Sequence, residues 1–242
     1  PEIPVDNALI ADARAVFSNV PPAARVYSLL RLTENRAKHW IPAEAAGVST
    51  SRWFARRSGT PLTEFIPGRF TPDGFWLTVL PSLPAAISRV SRETWVLGKE
   101  AGIDPNDPRA LPALEKEVIA LYAKEYIERW KAFLDDLDLV TGQTPEQAVA
   151  DLRILSAQRS PMKEMLVAIA KNLSLAPPAP TAAPSGGVAG AAAAAATALQ
   201  GGGIARYLAP GTEPPGIAVD RAFQELREFI DNGLDTVLAS LQ

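Results

Sequence analysis

The sequence predicts a mainly α protein: a multi-helix bundle with one long irregular loop region and an Ala/Gly/Pro-rich flexible insertion. Three observations predict it. Apolar residues recur at steps of three and four up to about residue 173 and again after 219. Thr-Pro and Ser-Pro pairs stand where such stripes begin, as helix starts require. Strand signals are weak, because Trp53-Phe54 and Phe65-Ile66 are too short to build a sheet.

In chain order, residues 6–18 and 22–38 read as a helical pair jointed at Pro21-Pro22. Residues 41–69 carry no helical period and form the long loop. Pro67-Gly68 in it is a turn pair. Thr71-Pro72-Asp73 opens a helix through Phe75 and Val79 with Thr71 as N-cap, and Pro81 and Pro84 must break or restart it. Trp95-Val96-Leu97-Gly98 reads as a helix end with Gly98 as its cap. The clearest helix covers 111–140, with Pro112 in its first turn. Leu114, Val118, Leu121, Tyr122, Tyr126, Trp130, Phe133 and Leu137 form one apolar stripe, and Lys116, Lys124, Glu125, Glu128 and Lys131 lie opposite.

Thr144-Pro145-Glu146-Gln147 is a capping-box start, followed by a stripe of Ala148, Val149, Leu152 and Leu155. Ser160-Pro161 starts another helix, with Met162, Met165, Leu166, Ile169 and Leu173. Residues 174–218 are dominated by Ala, Pro, Gly, Ser and Thr. Such a segment buries too little apolar surface to offset its ordering entropy and reads as a flexible linker or insertion. Residues 220–241 resume a helical stripe through Phe223, Leu226, Phe229, Ile230, Leu234 and Leu238. The chain therefore divides into a helical domain over 1–173, a linker over 174–218, and a segment over 219–242 that packs back on the bundle or leads into a further domain.

Composition narrows the chemistry. The chain has 242 residues, 47% of them hydrophobic, so a sizeable core is available. A net charge of -3 argues against a nucleic-acid partner, which calls for a basic surface. With no cysteine and one histidine, thiol nucleophiles, zinc ribbons and multi-histidine metal cages are excluded. No phosphate-cradling glycine motif appears, so no cofactor is expected. Gly201-Gly202-Gly203 lies in the linker with no capped helix after it. No run of about 18 apolar residues predicts a membrane span. A first residue of proline reads as the start of a piece of a longer protein.

Four groups invite a functional reading. His39 beside Trp40 reads as a partly exposed cap or packing histidine. Asp135, Asp136 and Asp138 are too close in sequence to converge on one helix face and read as a solvated face. Trp53, Trp76, Trp95 and Trp130 resemble a stacking platform, but Trp130 stands on the apolar stripe and reads as core. Arg52, Arg56 and Arg57, interleaved with Trp53 and Phe54, suit a protein-facing or intramolecular ion-pair role, since Arg and Trp are enriched at interface centres.

An ordered set of phrases carries a resemblance. They are Ala24-Arg25-Val26-Tyr27, Ser58-Gly59-Thr60-Pro61-Leu62, and Ile66-Pro67-Gly68-Arg69-Phe70-Thr71-Pro72-Asp73-Gly74-Phe75. Then follow Glu93-Thr94-Trp95-Val96-Leu97-Gly98, the run from Tyr126-Ile127-Glu128-Arg129-Trp130 to Asp135-Asp136-Leu137, and Leu155-Ser156 with Ser160-Pro161-Met162. In this order they resemble the periplasmic helical region of the IcmF/TssM family of type VI secretion proteins, over 12–173 and more loosely 219–241. Arg69 departs from the pattern, standing where the family tends to be apolar.

The resemblance implies the periplasmic part of an inner-membrane protein in an envelope-spanning core complex. It implies three partners for the full-length protein: an outer-membrane lipoprotein (TssJ-like), an inner-membrane protein (TssL-like), and further copies of itself. The family's nucleotide-binding region is not in this chain, and its β-rich lipoprotein-docking domain lies beyond it, so neither site is carried over. The resulting expectation is a non-enzymatic scaffold segment with Arg52, Trp53, Arg56, Arg57 and Arg69 as partner-contact residues. The alternative is a peptidoglycan-directed enzyme or glycan-binding helical domain, with Glu93, Glu125 and Asp135 as the carboxylates to test.

Overall fold

A computed structural model describes residues 20–34, 37–45, 47, 50–97, 109–142, 144–157, 160–176, 207, 213–234 and 236, with the side chains of 93–97 excepted. The predicted helix over 6–18, the Gly98 cap and most of the Ala/Gly/Pro-rich segment lie outside these residues. The fold is mainly α. Helices α1 (Pro22–Leu32), α2 (Pro42–Ala45) and α3 (Thr50–Trp53) precede strand β1 (Phe54–Arg56). Helices α4 (Pro72–Gly74), α5 (Leu80–Leu97) and α6 (Ala110–Asp136) follow, then strand β2 (Leu137–Leu139). Helices α7 (Pro145–Leu155), α8 (Pro161–Ala170), α9 (Ile217–Ala222) and α10 (Gln224–Glu228) complete the order.

The chain divides into two compact units. The first comprises Pro1–Glu34 and Val79–Tyr122, and the second Asn35–Thr78 and Ala123–Gln242. In the first unit, Val26 and Leu30 of α1 pack with Leu83, Ile87 and Val90 of α5 and with Leu114 and Val118 of α6. The heptad-like spacing of each set places it on one helix face. Pro22 stands at the first turn of α1, where its missing N–H costs nothing. α1 ends at Leu32, earlier than its apolar period implied.

The proline problem is solved by a change of helix type. Thr71 caps α4 through its Oγ1, which accepts from Gly74 N at 3.2 Å. A π-helical turn then spans Phe75–Val79, and α5 restarts at Leu80 with Pro81 in its first turn. Pro84 lies inside α5 without ending it. An interior proline costs about 3 kcal/mol or more. Here Leu80, Leu83 and Ile87 are all buried around it, and burial of that size offsets the loss.

In the second unit the core is aromatic. Trp130 is fully buried, and its indole lies 5.0 Å from that of Trp40 and 6.1 Å from Phe133. Phe70 meets Tyr126 edge-on at 6.2 Å. The Tyr126 hydroxyl donates to the carbonyl of Asn172 at 2.6 Å, and burial raises its pKa well above the ordinary tyrosine value. One short backbone pairing and one close approach hold the loop region against this core. Trp40 and Ile66 exchange both backbone hydrogen bonds, at 3.0 and 2.9 Å. Gly68 sits where an added Cβ would lie 2.2 Å from the Ala37 carbonyl oxygen, so no larger residue fits without moving backbone.

The helix starts at Thr144 and Ser160 form as the sequence predicts. Thr144 Oγ1 accepts from Gln147 N at 3.3 Å and Ser160 Oγ from Lys163 N at 3.0 Å. After residue 216 the chain packs on α8: Ile230 and Leu234 are buried among Met162, Leu166, Val167 and Ala170. Ser174 and Leu175 are held as well. Both donate to Asp220 Oδ1, and Leu175 is fully buried.

Candidate functional site

Four of the five predicted contact residues, all but Arg69, lie in or beside a two-stranded antiparallel ladder in the second unit. Phe54 pairs with Leu139, Ala55 with Asp138, and Arg56 with Leu137. The expected helix over 111–140 therefore stops at Asp136, four residues short, because residues 137–139 go into the ladder instead. Arg57 N donates to the Asp136 carbonyl at 2.8 Å, and Val140 N to the Trp53 carbonyl at 2.9 Å. These bonds give the last residues of the stripe the pairing that a further helical turn would have supplied.

Asp136 organises the turn beyond β1. Its carboxylate accepts from Arg56 Nε at 2.6 Å, and from the Ser58 backbone N–H and hydroxyl, each at 2.7 Å. The two Ser58 hydrogen bonds, with Arg56 beside them, hold its pKa below the ordinary 3.8. Gly59 completes the turn at φ +77, with its N–H on the Arg56 carbonyl at 2.9 Å. The solvated-face reading of the three aspartates is thus corrected for Asp136 alone. Asp136 is an internal anchor. Asp138 has left the helix but stays exposed, 3.4 Å from Arg57, and Asp135 stays exposed on α6. The fold separates them because the chain straightens between 136 and 138.

The five predicted contact residues have different environments. Arg52 is exposed, with its guanidinium 4.8 Å from the Trp53 ring centroid. Trp53 itself is only 4% exposed. The Arg56 side chain is 17% exposed, held by Asp136 and 5.8 Å over the ring of Phe133. Arg57 is exposed beside Asp138. Arg69 is half-buried on the 3₁₀ turn Gly68–Phe70 and makes contacts within the protein. So one continuous segment carries Arg52, Trp53, Arg56 and Arg57, and Arg69 belongs to a separate turn.

Beside Arg52 and Trp53 opens a shallow cavity of about 420 Å³. Its other walls come from Val140, Thr141 and Gly142 after β2 and from Gln147, Ala150 and Asp151 of α7. Asp151 Oδ2 accepts from Gly142 N at 2.8 Å and so ties the connection to the helix. A mixed wall with one exposed guanidinium suits a carboxylate or an extended peptide. Sequence reasoning missed these wall residues: no motif marks them, and only the ladder brings residue 140 beside residue 53.

The other groups are structural. His39 Nδ1 accepts from Gly68 N at 3.0 Å, and its ring stacks on Phe65 at 4.1 Å. Trp53, Trp76 and Trp130 are buried, so these three present no stacking platform in the chain as folded; the Trp95 side chain lies outside the described residues. Glu125 pairs with Arg129 at 3.1 Å. Glu125 and Asp135 stand on one helix about 15 Å apart along its axis, beyond the reach of a glycosidase pair. The Glu93 side chain lies outside the described residues. Among the described residues no group of three or more His, Asp or Glu side chains is placed to hold a metal ion.

The family "IcmF-related: Intracellular multiplication and human macrophage-killing" matches residues 1–174. The chain belongs to the IcmF-related family. It is also 34% identical over 179 residues to the type VI secretion system component TssM1 of Pseudomonas aeruginosa, a match over 72% of this chain and 16% of that protein. This IcmF-related chain therefore spans only a small part of the length of the curated relative it matches. No solved structure matches it. The phrases that carried the resemblance occupy structural places in this IcmF-related chain. Trp130 and Phe70 are core, Thr71 is a cap, and Ser58 and Asp136 close the ladder.

Proposed function

We propose that this chain is a non-enzymatic structural segment of the type VI secretion membrane core complex. It acts there as a periplasmic scaffold between inner-membrane and outer-membrane components. The observation that carries the reading is its similarity to a protein named as a type VI secretion component. The use of the residues that carry the resemblance in packing, capping and backbone pairing adds support, because a scaffold needs a rigid frame more than a reactive centre. Among the described residues no helix is long and apolar enough to cross a membrane, in keeping with a segment that lies outside the bilayer. The proposal keeps the division into a helical domain over 1–173, a linker over 174–218 and a returning segment over 219–242. The burial of Ile230 and Leu234 against α8 supports that return.

In this reading the outer-membrane lipoprotein and the second inner-membrane protein are met through the full-length protein, and this domain contributes the ladder surface. Arg52 and Arg57 present the charge; Trp53 and Arg56 hold the segment in place; Arg69 stands apart on its turn. The test is to tag the full-length protein, solubilise the cell envelope in mild detergent, and identify what co-purifies. A lipoprotein and a second inner-membrane protein in fixed ratio are the expected result. Soluble partners alone, or none, overturn the proposal.

A further inference from the structure

The outward face of α7 is apolar at its centre and oppositely charged at its two ends. The helix has 11 residues and is anchored by Leu155, with Ala148 and Asp151 half-buried on the same side. The predicted stripe of Ala148, Val149, Leu152 and Leu155 is therefore only partly used. Val149 is 51% exposed, Leu152 45% and Ile154 44%. At about 100° per residue, the direction opposite Leu155 is occupied by Glu146, Val149, Ala150 and Arg153. All four are exposed, and Ala150 also lines the cavity beside Arg52 and Trp53. Neither Glu146 nor Arg153 forms an ion pair among the described residues.

We propose that this face pairs with the same face of a second copy of the chain, helix against helix and antiparallel about a two-fold axis between Val149 and Ala150. The charge order favours this occupant. Under that axis Glu146 of each copy stands opposite Arg153 of the other, so the stripe is complementary to itself, as a two-fold contact requires. Across the axis Ala150 meets Ala150 and Val149 meets Val149, and the small Ala150 lets the helices approach closely. Leu152 and Ile154 flank the seam. A parallel arrangement instead sets Glu146 against Glu146 and Arg153 against Arg153, which like-charge repulsion disfavours. One short helix face buries less than the roughly 1,200–2,000 Å² of a stable specific complex. The contact is therefore weak between free chains and gains strength where copies are held close, as in an assembly. The inference deepens the self-association in the proposed scaffold, but its test reads the contact itself and is independent of which envelope proteins co-purify.

The absence of cysteine in the chain gives a clean test. Ala150→Cys sits beside the proposed axis, and mild oxidation of the concentrated 242-residue chain is expected to yield a disulfide-linked dimer. Ile154→Cys is the control: its two copies lie about 13 Å apart along the axis and should not link. On the Ala150→Cys background, Glu146→Arg sets two arginines face to face at both ends and should lower the dimer yield about five- to tenfold. Adding Arg153→Glu restores complementarity and should recover the yield, a rescue that a folding defect does not produce. Equal linking at positions 150 and 154, or failure of the double charge swap to rescue, overturns the proposal. So does an Ala150→Cys thiol that neither links nor reacts with maleimide, since another segment or partner then covers the face.

Discussion

The indole N–H of Trp130 donates to the backbone carbonyl of Phe70 at 2.9 Å, joining residues 60 positions apart inside the aromatic core. Both side chains are buried, so neither the donor nor the acceptor has water to turn to. Removing the donor loses a hydrogen bond inside the core, at a cost of about 1 kcal/mol. Trp130→Phe should therefore lower the denaturant midpoint of the chain clearly. Tyr126→Phe, which removes the hydroxyl bonded to the Asn172 carbonyl, should cost about 1 kcal/mol. Urea unfolding followed by far-UV circular dichroism checks both. Unchanged midpoints would mean that these bonds add nothing in the folded chain.

Asp136 gives the ladder an acid limit. Its folded pKa lies below its ordinary 3.8 because the ionised form accepts from Ser58 and Arg56. A lowered carboxylate pKa adds stability that is complete above the unfolded value and is lost as pH falls through the folded one. Stability should thus decline as pH drops below about 4, and less so in Asp136→Asn, which has no charge to lose. Melting temperatures of the two chains between neutral pH and pH 3 provide the check. Parallel curves would remove Asp136 from the acid response.

Gly68 and Gly59 should tolerate alanine differently. At Gly68 the new methyl meets the Ala37 and Lys38 carbonyl oxygens at 2.2 and 2.7 Å. Because both contacts are with backbone that cannot swing away, the cost is about 3 kcal/mol or more, at or above the top of the usual overpacking range, and Gly68→Ala should also disturb His39 stacked on Phe65. At Gly59 nothing lies within 4 Å of the added Cβ, so Gly59→Ala bears only the penalty of its positive φ, about 1–2 kcal/mol. Denaturant midpoints of the two variants order the effects, and equal losses would contradict the close approach at Gly68.

The basic segment separates surface from support. Arg52→Glu and Arg57→Glu alter exposed charges. The Arg57–Asp138 pair, being solvent-exposed, contributes no more than about 1 kcal/mol. Both variants should fold normally and recover less of the envelope partners in a pull-down. Arg56→Glu places a carboxylate beside Asp136 and should loosen the ladder itself, visible as a lowered melting temperature. Normal recovery of partners with Arg52→Glu and Arg57→Glu together would remove this surface from the assembly.

Much of the architecture is legible in the residues. The spacing of Val118, Tyr122, Tyr126, Trp130 and Phe133 marks the long helix, because one apolar face of period 3.6 has no other stable use. Thr71, Thr144 and Ser160 announce helix starts because a hydroxyl at that place satisfies an amide the helix leaves over. These are local relations, decided within a turn or two of chain.

What lies between distant segments was decided only in the tertiary structure. Nothing near Asp136 in sequence says that Ser58 and Arg56 will claim its carboxylate, or that the helix will end there to pair with β1. Nothing near Val149 and Leu152 says that their face is left outward, because burial depends on where α8 lies and not on the period of α7. Pro84 runs on inside α5 for the same reason: the penalty is local, but the apolar contacts that offset it come from α1 and α6. Local hydrogen bonding and periodicity fix the elements of this chain; which faces they bury, and which charges they leave for a partner, is set by contacts that sequence neighbours do not share.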